Sequence, residues 1–207
     1  FTSIEMIHLG VDTETYKPLK NKGELKRKLN LEGKFVVGCI ARNQLRKRFD
    51  KLIEGFALFA SEKKDAHLYV KTESISDHGY ILPDLIDYHG ISDKVTIDEK
   101  KTRTGHDESI MNELYNTFDI YAQSAGAEGF GIPILEAMSC GIPVIVPDYS
   151  ACSELVNGNG LLLKPYFHRV VDMATVEQVS IDTVEFAGHL EELYSNPRSE
   201  EHTSELQ

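Results

Sequence analysis

The stretch FVVGCIARNQLRKRFDKLIEGFALFA, Phe35–Ala60, contains a strand, a loop and a helix in direct succession. Its first part, Phe35–Ala41, is an apolar, β-branched run that predicts a strand buried on both faces. Its last part, Phe49–Ala60, places apolar residues at helical spacing. A strand that leads directly into such a helix is the unit from which parallel sheets with helices on both faces are built.

The same alternation of strand and helix continues along the chain. The charged segment Thr13–Lys34 is typical of a connection with one short polar helix. After it, every strand pattern is followed by a helix pattern. We therefore predict an α/β fold with a Rossmann-like parallel sheet, whose ligands bind at the carboxyl ends of the strands. The further predicted strands are His67–Val70, Val95–Ile97, Asp119–Gln123, Pro143–Val146 and Leu161–Leu163, and the further helices are Tyr80–His89, Asp107–Asn116, one from Ile132, Ser150–Val156 and Ile181–Tyr194.

Composition excludes several classes of protein. The 207 residues carry a net charge of −11, which argues against a general nucleic-acid binder, because such proteins need excess Lys and Arg to meet phosphate. Cys39, Cys140 and Cys152 lie far apart, which indicates packing residues in a reducing compartment and neither a disulfide framework nor a zinc site. No apolar run approaches the roughly 20 residues of a membrane span.

Both ends of the sequence depart from a complete protein. The chain starts at Phe1, and its first segment already reads as the middle of a protein. The last ten residues, Arg198–Gln207 (RSEEHTSELQ), break every preceding pattern and match codon for codon the translation of a widely used sequencing adapter. We interpret residues 198–207 as adapter read-through, a non-native tail.

A cationic loop follows the first predicted strand. Arg42–Arg48 (RNQLRKR) contains four cations in seven residues of an acidic protein. Charge runs are often only solvated surface, and that alternative stays open for this one. Its position favours a function, because fixed cations at the carboxyl end of a strand lie where an anionic ligand binds, and Arg with Lys can neutralise a diphosphate.

A second loop, in the stretch AEGFGIPILEAMSCGIPVI (Ala127–Ile145), carries two carboxylates and two glycines. Gly129 and Gly131 allow a tight turn before a helix start, where free N–H groups attract anions. Glu128 and Glu136 can border one pocket without touching, and a carboxylate accepts hydrogen bonds from vicinal hydroxyls of a sugar or ribose. Two alternatives are ordinary surface charges and the acid/base pair of a glycosidase, whose separation a sequence does not show.

Together these motifs resemble the retaining GT-B glycosyltransferases of family 4, often called glycosyl transferases group 1. The stretch from Glu128 to Glu136 resembles the E-x7-E signature of that family, and Arg42 and Lys47 have the spacing of its donor-phosphate Arg and Lys. Three further segments resemble the family in the same order along the chain: His8–Pro18, Leu114–Tyr121 and Ser153–Leu163.

The resemblance implies a role for each matching residue. The donor substrate would be a nucleoside-diphosphate sugar, with its diphosphate on Arg42 and Lys47, and its base near Asp98–Lys100. Arg42, Lys47 and Glu128 would be the catalytic residues, because fixed cations stabilise the charge that develops on a diphosphate leaving group. No divalent metal and no other cofactor would be needed, and the sequence has no DxD cluster to hold a metal. Glu128 would hold the donor sugar, Glu136 the ribose, and the backbone of Gly129, Phe130, Gly131 and Ile132 the sugar and phosphate.

The resemblance also implies a division into domains. Residues 1–34 would be an interdomain segment and residues 35–197 the C-terminal, donor-binding domain of a GT-B fold. The N-terminal domain that binds the acceptor (a glycan, a lipid or a small molecule) is missing, so the fragment alone would be an inactive part of a hexosyltransferase. The full protein would be cytoplasmic, with any peripheral membrane contact made by the missing domain. One departure is that Lys71–Gly79 is polar where the family normally has a glycine-rich loop.

Two other functions compete with this interpretation. One is a non-catalytic nucleotide-sugar-binding or scaffold module, against which the presence of all four charged motif residues argues. The other is a dinucleotide-dependent oxidoreductase, which needs a G-x-G-x-x-G turn after the first strand. Because that strand is followed by Arg42–Arg48 instead, the sequence argues against the second alternative.

Overall fold

A parallel sheet forms the centre of the molecule, which a computed structural model describes over residues 9–100, 107–156, 158–166 and 177–196. Within these ranges all paired neighbours in the main sheet run parallel. Its strands are β1 Phe35–Ile40, β2 Ala66–Lys71, β3 Val95–Asp98, β4 Ile120–Ala122, β5 Val144–Pro147 and β6 Leu161–Leu163. Their order is β3-β2-β1-β4-β5-β6, so the direction of winding reverses between β1 and β4.

Helices cover both faces of this sheet. Successive residues of a strand point to opposite faces, and apolar residues stand on both. Val37 of β1 belongs to a buried cluster with Phe56 and Phe186, whereas Val36 belongs to a second cluster with Tyr115 and Ile134. The predicted α/β fold with helices on both faces is confirmed. The helices are α1 Lys22–Lys28, α2 Phe49–Ala60, α3 Leu82–Tyr88, α4 Glu108–Tyr115, α5 Ile132–Ser139, α6 Ala151–Val156 and α7 Thr183–Ser195.

The predicted strands and helices agree with the observed bounds to within two residues. The start of the predicted helix Tyr80–His89 differs by two residues, and its cause is instructive. The Tyr80 N–H donates to Asn43 Oδ1, and Ile81 forms an antiparallel bridge with Ile75, so both residues belong to a loop and the helix begins at Leu82. The pair β7 Pro165–Tyr166 and β8 Ser180–Ile181 was not predicted, since two residues are too few to show a period.

The segment before β1 packs tightly onto the sheet domain. Tyr16, Leu25 and Leu31 are buried, and the only helix it forms in residues 9–34 is α1, as predicted. Its backbone is bound to α4, because the Lys17 N–H donates to Asn112 Oδ1. These described residues of the predicted interdomain segment are therefore part of the domain body. Residues 1–8 and the predicted tail, 198–207, lie outside the described residues.

The winding order opens a crevice at the carboxyl edge of the sheet. The chain leaves β1 toward α2 on one face and leaves β4 toward α5 on the other face. Loops that diverge in this way from neighbouring strands leave space for a ligand between them. The two loops that the sequence analysis singled out are these two.

Candidate functional site

The β1–α2 loop presents its cations from a short, bent backbone. A 3-10 turn, Leu45–Lys47, is followed by Arg48 in the left-handed region at φ 51°, and α2 begins at Phe49. The Arg48 guanidinium donates to both oxygens of Asp50, at 3.1 and 2.9 Å. Burial opposes ionisation of Asp50, but hydrogen bonds from Arg48 and Tyr80 outweigh it and hold the pKa of this carboxyl below its usual value. Arg48 is therefore committed to the start of α2.

The Glu128 carboxylate is the centre of the site. Lys47 Nζ and Gln123 Nε2 both donate to its Oε1, the latter at 2.8 Å, and Arg46 Nη1 donates to its Oε2 at 3.0 Å. The Glu128 side chain is only 7% exposed and that of Lys47 only 10%. Removing one partner from a buried ion pair typically costs about 3–5 kcal/mol, because the other charge is left uncompensated. The carboxylate is therefore held in place by two cations and an amide.

Backbone hydrogen bonds join the β1–α2 loop to the β4–α5 loop. The Gly126 N–H donates to the Arg46 carbonyl at 2.8 Å, and Arg46 Nη1 donates to the Ala127 carbonyl at 2.7 Å. Ser124 Oγ donates to the carbonyls of Lys47 and Arg48, at 3.1 and 2.8 Å. The two walls of the crevice therefore form one hydrogen-bonded unit at its base.

The glycine turn leads from this unit into α5. Gly129 is exposed with open space around it, whereas Gly131 has φ +94° and is buried. Phe130 between them is half-buried, and Ile132, 43% exposed, begins the helix. Pro133 lies in the first turn, where its missing N–H costs no hydrogen bond. The predicted helix start at Ile132 is confirmed, and in its first turn the Ile134 N–H donates to the Gly131 carbonyl at 2.9 Å.

Glu136 lies one turn into α5 and contacts a different part of the molecule. Tyr115 Oη of α4 donates to Glu136 Oε2 at 2.6 Å. Burial, followed by the charge of Glu136, raises the pKa of the nearby Tyr16. Glu136 and Glu128 therefore have different hydrogen-bond partners, on α4 and on the β1–α2 loop respectively.

Arg42 does not belong to the cluster of side chains around Glu128. Arg42 follows β1 directly, is exposed, and makes no hydrogen bond or ion pair with the part of the chain that the structure describes. The structure therefore brings Lys47 together with Glu128 but leaves Arg42 outside that cluster. Arg46 and Gln123 were missed as members of the cluster. Arg46 was visible in the basic stretch, but nothing in its spacing distinguished it from its neighbours.

The loops after β2 and β3 complete the carboxyl edge. The buried amide of Asn43 donates to the carbonyls of Glu73 and Tyr80, at 3.0 and 2.8 Å, and so fixes the polar loop after β2 to the β1–α2 loop. After β3, Lys71 Nζ and Tyr69 Oη donate to Asp98 Oδ2, at 3.0 and 2.9 Å. A cavity of about 220 Å³ lies beside these three side chains. It is lined in part by Tyr69, Lys71, Asp98, Lys100, Met111 and Leu114.

The described residues contain neither a metal-binding cluster nor a membrane-spanning helix. No group of three or more His, Cys, Asp or Glu side chains there is arranged to hold a metal ion. Among the helices in these ranges, none is long and apolar enough to cross a bilayer. The three cysteines are buried thiols, and burial raises the pKa of Cys39, Cys140 and Cys152 to about 12, as expected of packing residues.

The sequence matches one protein family over most of its length. A model of the family described as "Glycosyl transferases group 1" matches residues 21–203. The lipopolysaccharide core biosynthesis mannosyltransferase LpsB of Rhizobium meliloti (strain 1021) is 28% identical over 161 residues, which are 72% of this chain and 42% of the relative. The mannosylfructose-phosphate synthase of Agrobacterium fabrum (strain C58 / ATCC 33970) is 28% identical over 153 residues, which are 69% and 32%. The chain thus spans less than half the length of these curated relatives.

Solved structures share the fold. The C-terminal domain of the glycosyl transferase group 1 family protein LpcC from Francisella tularensis superimposes with a TM-score of 0.73 at 22% identity, over 92% of this chain and 91% of that one. Anabaena Alr3699/HepE in complex with UDP and glucose gives a TM-score of 0.72 at 22% identity, over 92% of this chain and 47% of that one. These likenesses confirm the predicted fold of a C-terminal GT-B domain.

Proposed function

Because the chain belongs to the glycosyl transferases group 1 family, we propose that it is the donor-binding domain of a retaining, family 4 glycosyltransferase. Its donor is a nucleoside-diphosphate sugar, from which a hexosyl group passes to an acceptor. One observation carries the proposal: Lys47 from the loop after β1 and Glu128 from the loop after β4 meet at the point where the winding of the sheet reverses. A nucleotide ligand of an open α/β sheet binds at that point.

The residues around this point suit the parts of such a donor. Breaking the glycosidic bond leaves its electron pair on a diphosphate oxygen, and Lys47, exposed Arg42 and the N-terminus of α5 can stabilise that charge without a metal ion. The Glu128 oxygens can accept hydrogen bonds from sugar hydroxyls, and Glu136 those of the ribose. The backbone from Gly129 through Phe130 and Gly131 to Ile132 borders the sugar and phosphate, and the base lies near Asp98–Lys100.

The ligands of one solved relative and the activities of two curated ones support the same proposal. Alr3699/HepE is described in complex with UDP and glucose, and the curated relatives include a mannosyltransferase and a mannosylfructose-phosphate synthase. The presence of Arg42, Lys47, Glu128 and Glu136 favours a catalytic domain over a non-catalytic module of the same fold.

Titration calorimetry of the 207-residue chain with UDP, GDP and ADP tests the proposal. We expect at least one of them to bind, and Lys47→Ala to weaken that binding by about 10- to 100-fold, because a charge-assisted contact to phosphate is lost. Glu136→Ala is expected to weaken it about tenfold through the ribose.

Matched controls come from the opposite edge of the sheet. Lys64→Ala and Glu62→Ala change exposed residues of the α2–β2 connection, and we expect both to bind like the unchanged chain. Absence of heat with all three nucleotides, for protein whose cooperative unfolding shows that it is folded, would contradict the proposed function.

The whole protein is part of the proposal. We propose residues 1–34 as an interdomain segment, 35–197 as the donor domain and 198–207 as a non-native tail. An N-terminal domain would supply the acceptor site for a glycan, lipid or small molecule and any peripheral contact of this cytoplasmic protein with a membrane. The short length of the chain relative to its curated relatives supports a further domain. Amplifying the genomic reading frame on both sides of the chain tests the proposed N-terminal domain and the non-native tail.

A further inference from the structure

Arg46 links the two loops of the site through both its side chain and its backbone. Its Nη1 donates to the Ala127 carbonyl at 2.7 Å and to Glu128 Oε2 at 3.0 Å, while its own carbonyl accepts from the Gly126 N–H at 2.8 Å. The Arg46 side chain is 34% exposed and lies over a carboxylate that is 7% exposed. Arg46 therefore covers Glu128 from the solvent side and is anchored independently of it.

If Arg46 were absent, the charges around Glu128 would not allow Lys47 to leave this carboxylate. Glu128 is nearly buried, and Lys47 and Arg46 are the cations that pair with it among the described residues. If Lys47 moved to a phosphate and Arg46 were absent, the amide of Gln123 would be the remaining side-chain partner of a buried carboxylate. A buried carboxylate without a cation is strongly disfavoured, so Lys47 would stay where it is.

We propose that Arg46 is a positioning residue of the donor site. It keeps Glu128 paired and in place while Lys47 exchanges the Glu128 carboxylate for the diphosphate of the donor. Arg46 acts through Glu128, because one nitrogen, Nη1, donates both to the Ala127 carbonyl and to the carboxylate. This inference rests on the proposed function, because it takes a nucleoside diphosphate as the ligand that Lys47 meets.

A double-mutant cycle tests the proposal with calorimetry, using whichever of UDP, GDP and ADP the unchanged chain binds best. Arg46→Gln is expected to weaken binding about tenfold in the unchanged background, because Lys47 remains tied to Glu128. In the Glu128→Gln background the same change is expected to cost less than about twofold, since no buried negative charge is left to compensate. Arg46→Lys keeps the positive charge that Arg46→Gln removes, and it is expected to keep most of the affinity of the unchanged chain.

The matched control is Arg27→Gln, an exposed arginine of α1 whose carboxylate partner is also exposed, and we expect it to change the affinity by less than about twofold. An equal loss from Arg46→Gln in both backgrounds would overturn the proposal, because Arg46 would then contact the ligand directly. No loss in either background would overturn it as well. If Arg46→Lys bound as weakly as Arg46→Gln, the role would be steric and the proposal would also fall. Failure of the unchanged chain to bind any of the nucleotides would instead contradict the proposed function.

Discussion

Gly131 shows how a single residue shapes the site. It stands at φ +94° and ψ 45° directly before α5, in a region that side chains with a Cβ rarely adopt. A Cβ there would lie 2.9 Å from Ile134 Cδ1 and 3.2 Å from Leu155 Cδ1. The sequence predicts a bend at both glycines of this turn, but Gly129 has no positive φ and has open space around it. The turn therefore depends on Gly131.

Substitution of these two glycines separates their roles. We expect Gly131→Ala to lower the free energy of unfolding by about 1–3 kcal/mol, because it combines a strained φ with a close contact. Gly129→Ala, the matched control, is expected to stay within about 0.5 kcal/mol of the unchanged chain. Urea denaturation followed by circular dichroism measures both, and equal losses would contradict the assignment of the turn to Gly131.

At the scale of elements, the packing of α7 on α2 closes one face of the sheet. Phe186 of α7 is 1% exposed and lies against Gly55 of α2, where an added Cβ would come within 2.3 Å of its ring. Because of this close approach, the contact between the two helices requires a residue without a side chain at position 55. The Asp182 side chain accepts from the N–H groups of Val184 and Glu185 and so caps the start of α7.

Two alanine substitutions in these helices should have opposite signs. Gly55→Ala is expected to destabilise the fold by about 1–3 kcal/mol, because Phe186 must leave its position. Gly188→Ala, on the exposed side of α7 with nothing within 4 Å, is expected to stabilise it by about 0.5–1 kcal/mol through helix propensity. Guanidinium denaturation curves measure the difference. Stabilisation by both substitutions would show that Phe186 does not pack on Gly55.

At the scale of the whole molecule, a histidine in the sheet makes stability depend on pH. His67 of β2 lies within 2.9 Å of Thr96 Oγ1 on β3 through its Nε2. Burial, with a smaller effect of Lys34, lowers the pKa of His67 to about 4, whereas an unfolded chain has about 6.5. The unfolded chain therefore binds a proton between these values and the folded one does not, so stability falls as the pH decreases from about 6.5 to about 4.

Replacing His67 should flatten this part of the pH profile. Since the ring is only partly buried, we expect the free energy of unfolding to fall between pH 7 and pH 4 by about 1–2 kcal/mol more in the unchanged chain than in His67→Gln. His78→Gln, in an exposed loop, is the control and should leave the profile unchanged. The partly buried carboxyls Asp50 and Asp98, whose pKa is lowered, lose their contribution as the pH falls through and below about 4, which is mostly below this window. Identical slopes for the unchanged chain and His67→Gln would contradict the prediction.

The elements could be predicted from the sequence because burial repeats with a fixed period. The apolar run of β1 and the helical spacing of Phe49–Ala60 identify the first unit almost to the residue. Elements that lack a period were harder: Tyr80 and Ile81 read as helix, but Asn43 and Ile75 hold them in a loop. The Asn43 contact comes from a residue 37 positions away and leaves no local mark on the sequence.

The sequence by itself determined which residue types stand at the carboxyl ends of β1 and β4, because strand and helix patterns locate those ends. It placed Lys47 in one loop and Glu128 in another and indicated an anion site with polyol-binding carboxylates. Only the tertiary structure decided which cations meet Glu128. The 3-10 turn and the left-handed Arg48 aim Arg46 and Lys47 at this carboxylate and leave Arg42 exposed. That choice depends on hydrogen bonds between loops about 80 residues apart, and spacing along a chain does not encode them.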